Sequence, residues 1–565
     1  MTTISSGTLA TSGTTTYIVG TSSGLDTSAL VEVAVASKTI AADRIDLEVE
    51  ENDLKISAYE EMQTLAATLG SSLDNLKSIV GFANQDTNIF SARAGYMESS
   101  TSTEATSLIS VAVDTDAAIG DYEIVVNQKA FAQKVMSGSQ TTSTDPLDGT
   151  GYTGTFDIGL AGGATETISV TAGMSLTDLA NEINNFSETS GVTASVVKIG
   201  ENEFTLVLTG QETNKAIEIS NVTGDDVMTS IGVTDSLGGA YSNVLQNAQA
   251  AQITLDGITI TRDDNNFDDV LEGIDISVEN ADPGTTISLS IGNDTSSTKE
   301  AITAFVDAYN DLREFIVTNQ TVTDDGAVSS ALFSDTIMES MNSAIANIIG
   351  SATNSSLATL RDIGITYTND NYLTIDSTAL DDALLDNYDA VEELFATTYQ
   401  SSTDQFALIR NESSADFPPL SFDITADGSG NMTNVLVNGE ANMFDISGTR
   451  LVGKEGTIYA GLSFSYQAGV SDTITYNLNQ GIGDRLSNAL SAYTDSLNGI
   501  ISSSIAALEE ENTDLTAESA TIRSNAEDYR TRLIEKYAAM EAQIEALKLI
   551  QQQLQDIIGN NDDDN

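Results

Sequence analysis

The 565-residue chain contains no cysteine, no histidine and no tryptophan. Without a thiol or an imidazole there is no cysteine nucleophile, no Ser-His-Asp triad, no imidazole base, and no zinc or haem site built on those ligands. A cysteine-free chain also suits a protein that travels unfolded and works outside the cell, where a free thiol invites redox accidents. Basic residues are scarce as well. Against 84 Asp and Glu stand 22 Lys and Arg, a formal net charge of −62, which disfavours any surface that must neutralise phosphates or rest on anionic lipid. Neither a nucleic-acid partner nor membrane insertion is expected, and nothing approaches the ~18 consecutive apolar residues of a spanning helix. The acidity itself fits a need for solubility or a saline habitat.

From Met1 to Gly24 the sequence is dominated by Ser, Thr and Gly, with no basic residue before Lys38 and no apolar run. That is not a Sec signal peptide. Such a composition buries too little surface to offset the entropy of ordering. Residues 1–40 are therefore expected to be a disordered export and docking segment.

The length points to about three to five domains. From Tyr59 the apolar positions repeat every seven residues: Tyr59, Ala66, Leu73 and Val80 form one series, and Met62, Leu69 and Leu76 a second, three residues out of step, as a and d positions are. Ile40, Leu47 and Leu54 form a further series in another phase, which predicts a stutter or break near residues 55–58. At the other end Leu486, Tyr493 and Ile500 run beside Leu490 and Leu497, followed by Ile501, Leu508, Leu515 and Ile522. Leu533, Met540, Leu547 and Leu554 then run beside Tyr537, Ile544 and Ile558. Apart from Gly499 this stretch lacks helix breakers. The same stripe serves an internal bundle or an interface between chains.

Between the ends the period changes to two. Ile109, Val111 and Val113, and Tyr122, Ile124 and Val126, alternate as half-buried strands do. Further strands are expected over 155–170 and 192–208, with a helix through Leu176, Leu179 and Ile183. Asp256-Gly257 marks a hairpin, and Asp282-Pro283-Gly284 a turn between the next two apolar runs. Helical spacing returns through Ile302–Ile316 and Met338–Ile348, followed by a small hairpin through Ile365 and Ile375 and helices over 380–395. After Pro418-Pro419 a second β block runs to about Leu478.

The expected fold class is α+β multidomain, a terminal α-helical coiled-coil or bundle stalk with β-rich head domains inserted between the ends. The expected parts are a stalk and leg helix over 41–95, a β-rich head domain from 96–145 and 245–295, and a second head domain with a short helix over 146–244. A helical leg domain with a hairpin over 296–416, an inserted β domain over 417–479 and C-terminal stalk helices over 480–565 complete the chain.

Motifs for chemistry fail on inspection. Gly448-Thr-Arg-Leu-Val-Gly453-Lys454 has the glycine and lysine frame of a P-loop, but Glu455 stands where a magnesium-binding hydroxyl belongs, and the flanks read as strand. Ser296-Ser-Thr-Lys299 lacks the Lys-Thr-Gly partner of penicillin-interactive enzymes and reads as a helix start. The acidic clusters at 263–266 and 423–431 do not follow the EF-hand register. No catalytic, cofactor or metal site is assigned, and the Asp562-Asp563-Asp564 tail reads as a solvated terminus.

Several ordered stretches resemble the flagellar filament cap family, also called hook-associated protein 2. They are Ser23-Gly24-Leu25-Asp26, Ala130-Phe131-Ala132-Gln133-Lys134, Leu255-Asp256-Gly257-Ile258, Asp269-Val270-Leu271-Glu272-Gly273-Ile274 and Phe305-Val306-Asp307-Ala308-Tyr309-Asn310. Leu373-Thr374-Ile375-Asp376, Glu393-Leu394-Phe395, Gly481-Ile482-Gly483-Asp484-Arg485-Leu486 and the C-terminal helix with Tyr537, Met540 and Leu547 follow. The insert departs from shorter members and is similar to an extra β domain of longer ones.

The resemblance implies a secreted, non-enzymatic protein at the flagellum tip, a homo-oligomeric ring, pentameric, that folds and adds exported flagellin. It further implies contact with the filament tip and hook–filament junction proteins, type III export, and an export chaperone at the C-terminal helix. The interface residues expected from the stripes are Tyr59, Met62, Leu69, Leu73, Leu76, Leu533, Tyr537, Met540, Ile544, Leu547 and Leu554. The competing readings are an extracellular adhesin, or another axial subunit such as flagellin or a junction protein.

Overall fold

The computed structural model describes residues 8–12, 15–19, 26–78, 88–147, 151–236, 239–321, 330–353, 356–427 and 429–559. Val80, the Ser23-Gly24-Leu25 part of the N-terminal signature and the Asp562-Asp563-Asp564 tail lie outside them. The helices in chain order are α1 (Thr27–Ser72), α2 (Leu176–Asn185), α3 (Ser187–Ser190), α4 (Val227–Ser230), α5 (Thr295–Gln320), α6 (Thr336–Ile349), α7 (Ser377–Asp386), α8 (Tyr388–Phe395), α9 (Ile482–Thr494) and α10 (Ile500–Gly559). Long helices at both ends and a β-rich middle give the α+β class its form. The chain divides into two units, 84–297 and a second made of 1–83 with 298–565.

In the unit 84–297 two hydrophobic cores form. In the first, a five-stranded sheet runs in the order Ile258–Arg262, Ala251–Leu255, Gly120–Gln128, Thr286–Asn293, Arg93–Ser99, and a three-stranded sheet joins Asn266–Leu271, Ile274–Val278 and Ile109–Val113. Ile124, Val126, Ile253, Phe267, Ile276 and Leu289 fill the space between. Asp256 and Gly257 have φ of 49° and 82°, the paired positive angles of the hairpin turn expected there. Asp282-Pro283-Gly284 instead leads from one sheet to the other, because Thr286–Asn293 pairs with Gly120–Gln128 and Arg93–Ser99.

The second core gathers Phe156, Ile158, Leu176, Leu179, Ile183, Leu206 and Leu208 around α2. Ser175 caps α2 through a reciprocal box with Asp178. Strands Ala132–Met136 and Val244–Gln246 belong to this core's sheet, so the expected boundaries at 145/146 and 244/245 are corrected. The crossing falls where Phe131 and Gln249 exchange backbone hydrogen bonds of 2.9 and 3.0 Å, a long-range pairing that local alternation does not mark.

In the unit 1–83 with 298–565, strands Thr8–Ser12 and Thr15–Val19 form an antiparallel hairpin packed on α10. α1 begins at Thr27, where the Asp26 carboxylate accepts from Ala29 N at 3.0 Å. The disorder expected through residue 40 is thus corrected over 27–40, residues 1–7, 13–14 and 20–25 lying outside the described residues: Val31 and Val35 are buried by Ala526 and Ile534 of α10, a partner that local composition does not reveal. The stutter is also corrected. α1 runs unbroken, with Ile45 and Asn52 already in phase with Tyr59, Ala66 and Leu73 on its inner side, while Ile40, Leu47 and Leu54 are exposed.

The inserted β sandwich starts at Thr398, not at 417. Thr398–Ser401 pairs with Asp472–Asn479 and Phe406–Asn411 with Leu462–Tyr466, so its first two strands precede the prolines and meet its last two. Phe406, Phe422, Phe464 and Tyr476 interlock in its core at centroid distances of 4.8–5.6 Å. The Gly448 turn joins Phe444–Ser447 to Arg450–Gly453 as a hairpin, which removes the P-loop frame. At the far end the helical run predicted through Leu497 and Ile500 breaks between α9 and α10. A Cβ on Gly499 would lie 2.4 Å from the Asp495 carbonyl oxygen, and Leu497 is exposed.

Candidate functional site

α1 and α10 lie antiparallel, and polar rungs tie them along their length. Gln63 Nε2 donates to Ser502 Oγ at 2.7 Å, Asn52 Nδ2 to Asn512 Oδ1 at 3.0 Å, and Asn512 Nδ2 to Asp53 Oδ1 at 2.8 Å. Ser519 Oγ donates to Asp46 at 2.6 Å, Arg523 bridges Asp43 and Asp46 at 2.7 and 2.5 Å, and Arg530 holds both oxygens of Glu32. Hydrogen bonds from Ser519 and then Arg523 hold the Asp46 carboxyl below its ordinary range, and Arg530 does the same for Glu32. The ion-pair rungs of Arg523 and Arg530 are exposed and each is weak, while the Gln63, Asn52 and Ser519 rungs are half-buried. They specify register more than they stabilise.

The heptad series of α10 therefore reads Asn512, Ser519, Ala526, Leu533, Met540, Leu547, Leu554. Its first half is polar or small where it meets α1. Its last members are large and apolar, and they lie where α1 has ended, since Arg530 is level with Glu32 and α1 begins at Thr27. Leu533 and Tyr537 pack against the Val31 and Val35 cluster. Met540 and Ile544 are half-buried, while Leu547 and Leu554 are 64 and 53 % exposed.

The N-terminal five of the expected interface residues behave differently. Tyr59, Met62, Leu69, Leu73 and Leu76 are all buried within the chain, where α1 packs on α9 and α9 on α6. They are corrected from interface to internal core, because a heptad stripe has the same spacing whether its partner is another chain or a later helix of the same one. Tyr59 Oη donates to Asp335 Oδ2 at 2.6 Å, with Lys55 Nζ at 3.3 Å from the same oxygen. Burial and the Asp335 charge push the Tyr59 hydroxyl up. Burial also pulls the Asp335 carboxyl upward, but the hydrogen bonds from Tyr59 and Met338 N and the Lys55 charge outweigh it and leave the group below its ordinary value.

Sequence reasoning assigned no role to Asp484. This carboxylate, 5 % exposed, accepts from Ser78 N at 3.0 Å, Ser78 Oγ at 3.2 Å and Thr397 N at 2.6 Å. It joins the exit from α1, the entry to the β sandwich and the first turn of α9. Gly481 and Gly483 beside it lie against the Phe395 carbonyl, where Cβ atoms would sit 2.2 and 2.7 Å away. The Glu393-Leu394-Phe395 and Gly481–Leu486 stretches are thus two halves of one joint. The signal available in sequence was an acid in a glycine-rich helix start, Gly481-Ile482-Gly483-Asp484.

Among the described residues no cluster of three or more metal-ligating side chains is gathered, and no helix is long and apolar enough to cross a membrane. Lys299 of the Ser-x-x-Lys frame pairs with Asp381 at 2.6 Å, and Asp294 caps the start of α5 through Ser297.

Residues 248–548 match the family described as flagellar hook-associated protein 2 C-terminus, and residues 23–133 its N-terminus; residues 155–210 match the flagellin hook IN motif. The A-type flagellar hook-associated protein 2 of Pseudomonas aeruginosa is 26 % identical over 404 residues, 67 % of this chain and 80 % of that one. The flagellar hook-associated protein 2 of Salmonella typhimurium is 33 % identical over 215 residues, 36 % of this chain and 45 % of that one. The crystal structure of the D1-D2-D3 domains of the flagellar cap protein FliD from Escherichia coli covers 80 % of this chain and 99 % of its own, at 22 % identity and a TM-score of 0.46.

Proposed function

The chain belongs to the flagellar hook-associated protein 2 family, and with the filament cap role and absence of enzymatic activity that this brings, we propose that the free end of α10 is the part that engages the filament. The observation that carries this is the α10 stripe: it continues with large apolar residues past the point where α1 stops covering it. A helix in water gains nothing from an exposed Leu547 and Leu554. Against a partner helix each could contribute ~1.5–3 kcal/mol.

In this reading Leu533, Tyr537, Met540, Ile544, Leu547 and Leu554 form the docking face, while the α1 core keeps its shape. Flagellin and the filament tip are the partners of the cap. The finer picture is a homo-oligomeric ring, pentameric, placed outside the cell at the flagellum tip after unfolded export, next to hook–filament junction proteins at the start of growth. An export chaperone covers the same C-terminal stripe before secretion, which accounts for an apolar surface tolerated on a chain that must stay soluble.

A deletion strain tests the reading. Loss of this chain leaves flagellin monomers in the medium and no filaments, and the intact gene restores them. Normal motility in the deletion strain contradicts it.

A further inference from the structure

α1 carries two apolar stripes, and α10 covers only one. Val33, Ile40, Leu47 and Leu54 repeat every seven residues along the uncovered side and are 70, 51, 60 and 60 % exposed. Single exposed aliphatics need no explanation, but four in one heptad phase form a seam without a partner among the described residues. At Leu54 the seam runs into a groove between α1 and α5, with Leu65 and Phe315 on its floor and Glu61, Asp311 and Glu314 on its rim. Its flanks are acidic too: Glu50 and Glu51, three and four residues after Leu47, are both exposed, while Asp43, Asp46 and Asp53 are taken up by α10.

An occupant must therefore be a helix with a heptad stripe of its own and without the negative charge of the rest of the chain. A second α1 fails this test, because acid would face acid along the seam. The end of α10 passes it. With Arg530 engaged by Glu32 of its own chain, residues 531–555 carry three bases (Arg532, Lys536, Lys548) and three acids (Glu535, Glu541, Glu545) and are neutral, in a chain whose net charge is −62. The same stretch presents Leu547, Ile550 and Leu554, all more than half exposed. It cannot reach the α1 seam of its own chain, because the antiparallel register carries it away beyond Thr27.

We propose that the α10 end of one copy docks on the Val33-Ile40-Leu47-Leu54 seam of the next copy. Two different surfaces then meet head to tail, and such a contact repeats from copy to copy until a rotation closes it into a ring. The inference rests on the cap reading and adds to it the surface that joins neighbours. The stripe so engaged, with Leu547 and Leu554, is the one the filament takes in the cap reading, so this contact joins copies that are not docked on a filament.

Because the full chain has no cysteine, single cysteines report cleanly. Copies carrying Leu47→Cys are mixed with copies carrying Leu547→Cys, treated with a bis-maleimide, and weighed by light scattering before and after. The expected result is a crosslinked dimer in the mixture that is absent from Leu47→Cys alone. Leu47→Glu is expected to lower the oligomer mass with an unchanged melting temperature, since the side chain is exposed. Crosslinking within Leu47→Cys alone overturns the proposal, as does an oligomer of unchanged mass with no crosslink and no response to Leu47→Glu. A parent chain that stays monomeric overturns the ring reading as well, so the two failures are told apart by the mass of the parent.

Discussion

Asn52 and Asn512 meet across the α1/α10 seam, the amide of one donating to the amide oxygen of the other at 3.0 Å, 460 positions apart in sequence. An asparagine pair inside a heptad seam gives up apolar burial for register, because any slip of the helices leaves both amides without partners. Asn512 also donates to Asp53 at 2.8 Å, so the pair locks position from both helices.

Replacing one member alone, as in Asn512→Leu, is expected to destabilise the helix pair by about 0.5–1.5 kcal/mol, the net worth of a hydrogen bond between half-buried groups. Replacing both by Leu is expected to restore or raise the melting temperature while loosening register. Thermal melts of the two singles and the double form a cycle; equal and additive losses would show that the amides do not interact.

Asp335 offers a prediction with a defined pH dependence. It caps α6 through Ile337 N and Met338 N at 3.0 and 3.1 Å and accepts from Tyr59. Asp335→Ala removes a cap, ~1 kcal/mol, and orphans a buried hydroxyl, about 1–3 kcal/mol more. Tyr59→Phe should lose less. Since the folded carboxyl lies below its ordinary value, its stabilisation is present above the unfolded carboxyl range, near about 4, and lost as pH falls through the folded value. Melts in acid should therefore show parent and Asp335→Ala converging, and a gap that persists well below that range would refute the assignment.

The terminal helices, the β-rich middle and the Asp256-Gly257 turn were legible because each is a local pattern of period or turn chemistry. Which stripe of α1 is covered was not, since Ile40-Leu47-Leu54 is as regular as Ile45-Asn52-Tyr59 and more apolar; the choice is made by α10, hundreds of residues away. The sandwich start at Thr398 was hidden for the same reason, its first strands being defined by partners at 462–479. Five of the eleven expected interface residues proved to be internal core, because spacing reports that a face is buried and not by whom. Asp484 was missed since nothing local shows that two backbone N–H groups converge on it.

Asp484 should respond to pH in the sense opposite to Asp335. Burial raises its carboxyl, against the hydrogen bonds from Ser78 and Thr397. Its contribution is then fully present below the unfolded carboxyl range and lost as pH rises through the folded value. Asp484→Asn keeps an acceptor for Ser78 N and Thr397 N, and its amide can donate to a rotated Ser78 hydroxyl, so it should fold. Its melting temperature relative to the parent should climb from pH 4 to pH 7. A constant difference would mean that the carboxyl ionises as freely in the folded chain as in the unfolded one. Asp484→Ala, which orphans those donors, should be less stable throughout by about 1–3 kcal/mol for each buried group.

The two ends of the heptad pattern should fail in different ways when charged. Met62 is fully buried in the α1 core, so Met62→Asp places an unpaired charge in the interior and should unfold the helical unit. Leu547→Asp changes a side chain that is 64 % exposed, and its stability should stay within the roughly ±0.5 kcal/mol typical of surface changes. Complemented into a deletion strain, it should nonetheless shorten or abolish filaments, whereas Ala539→Asp, on an exposed position off the stripe, should build them normally. Circular dichroism melts separate folding from assembly, and electron microscopy of the cells counts filaments. If Leu547→Asp is fully folded and its filaments are of normal length, the exposed end of α10 is not a docking face, and the apolar stripe beyond α1 has no role in the cap.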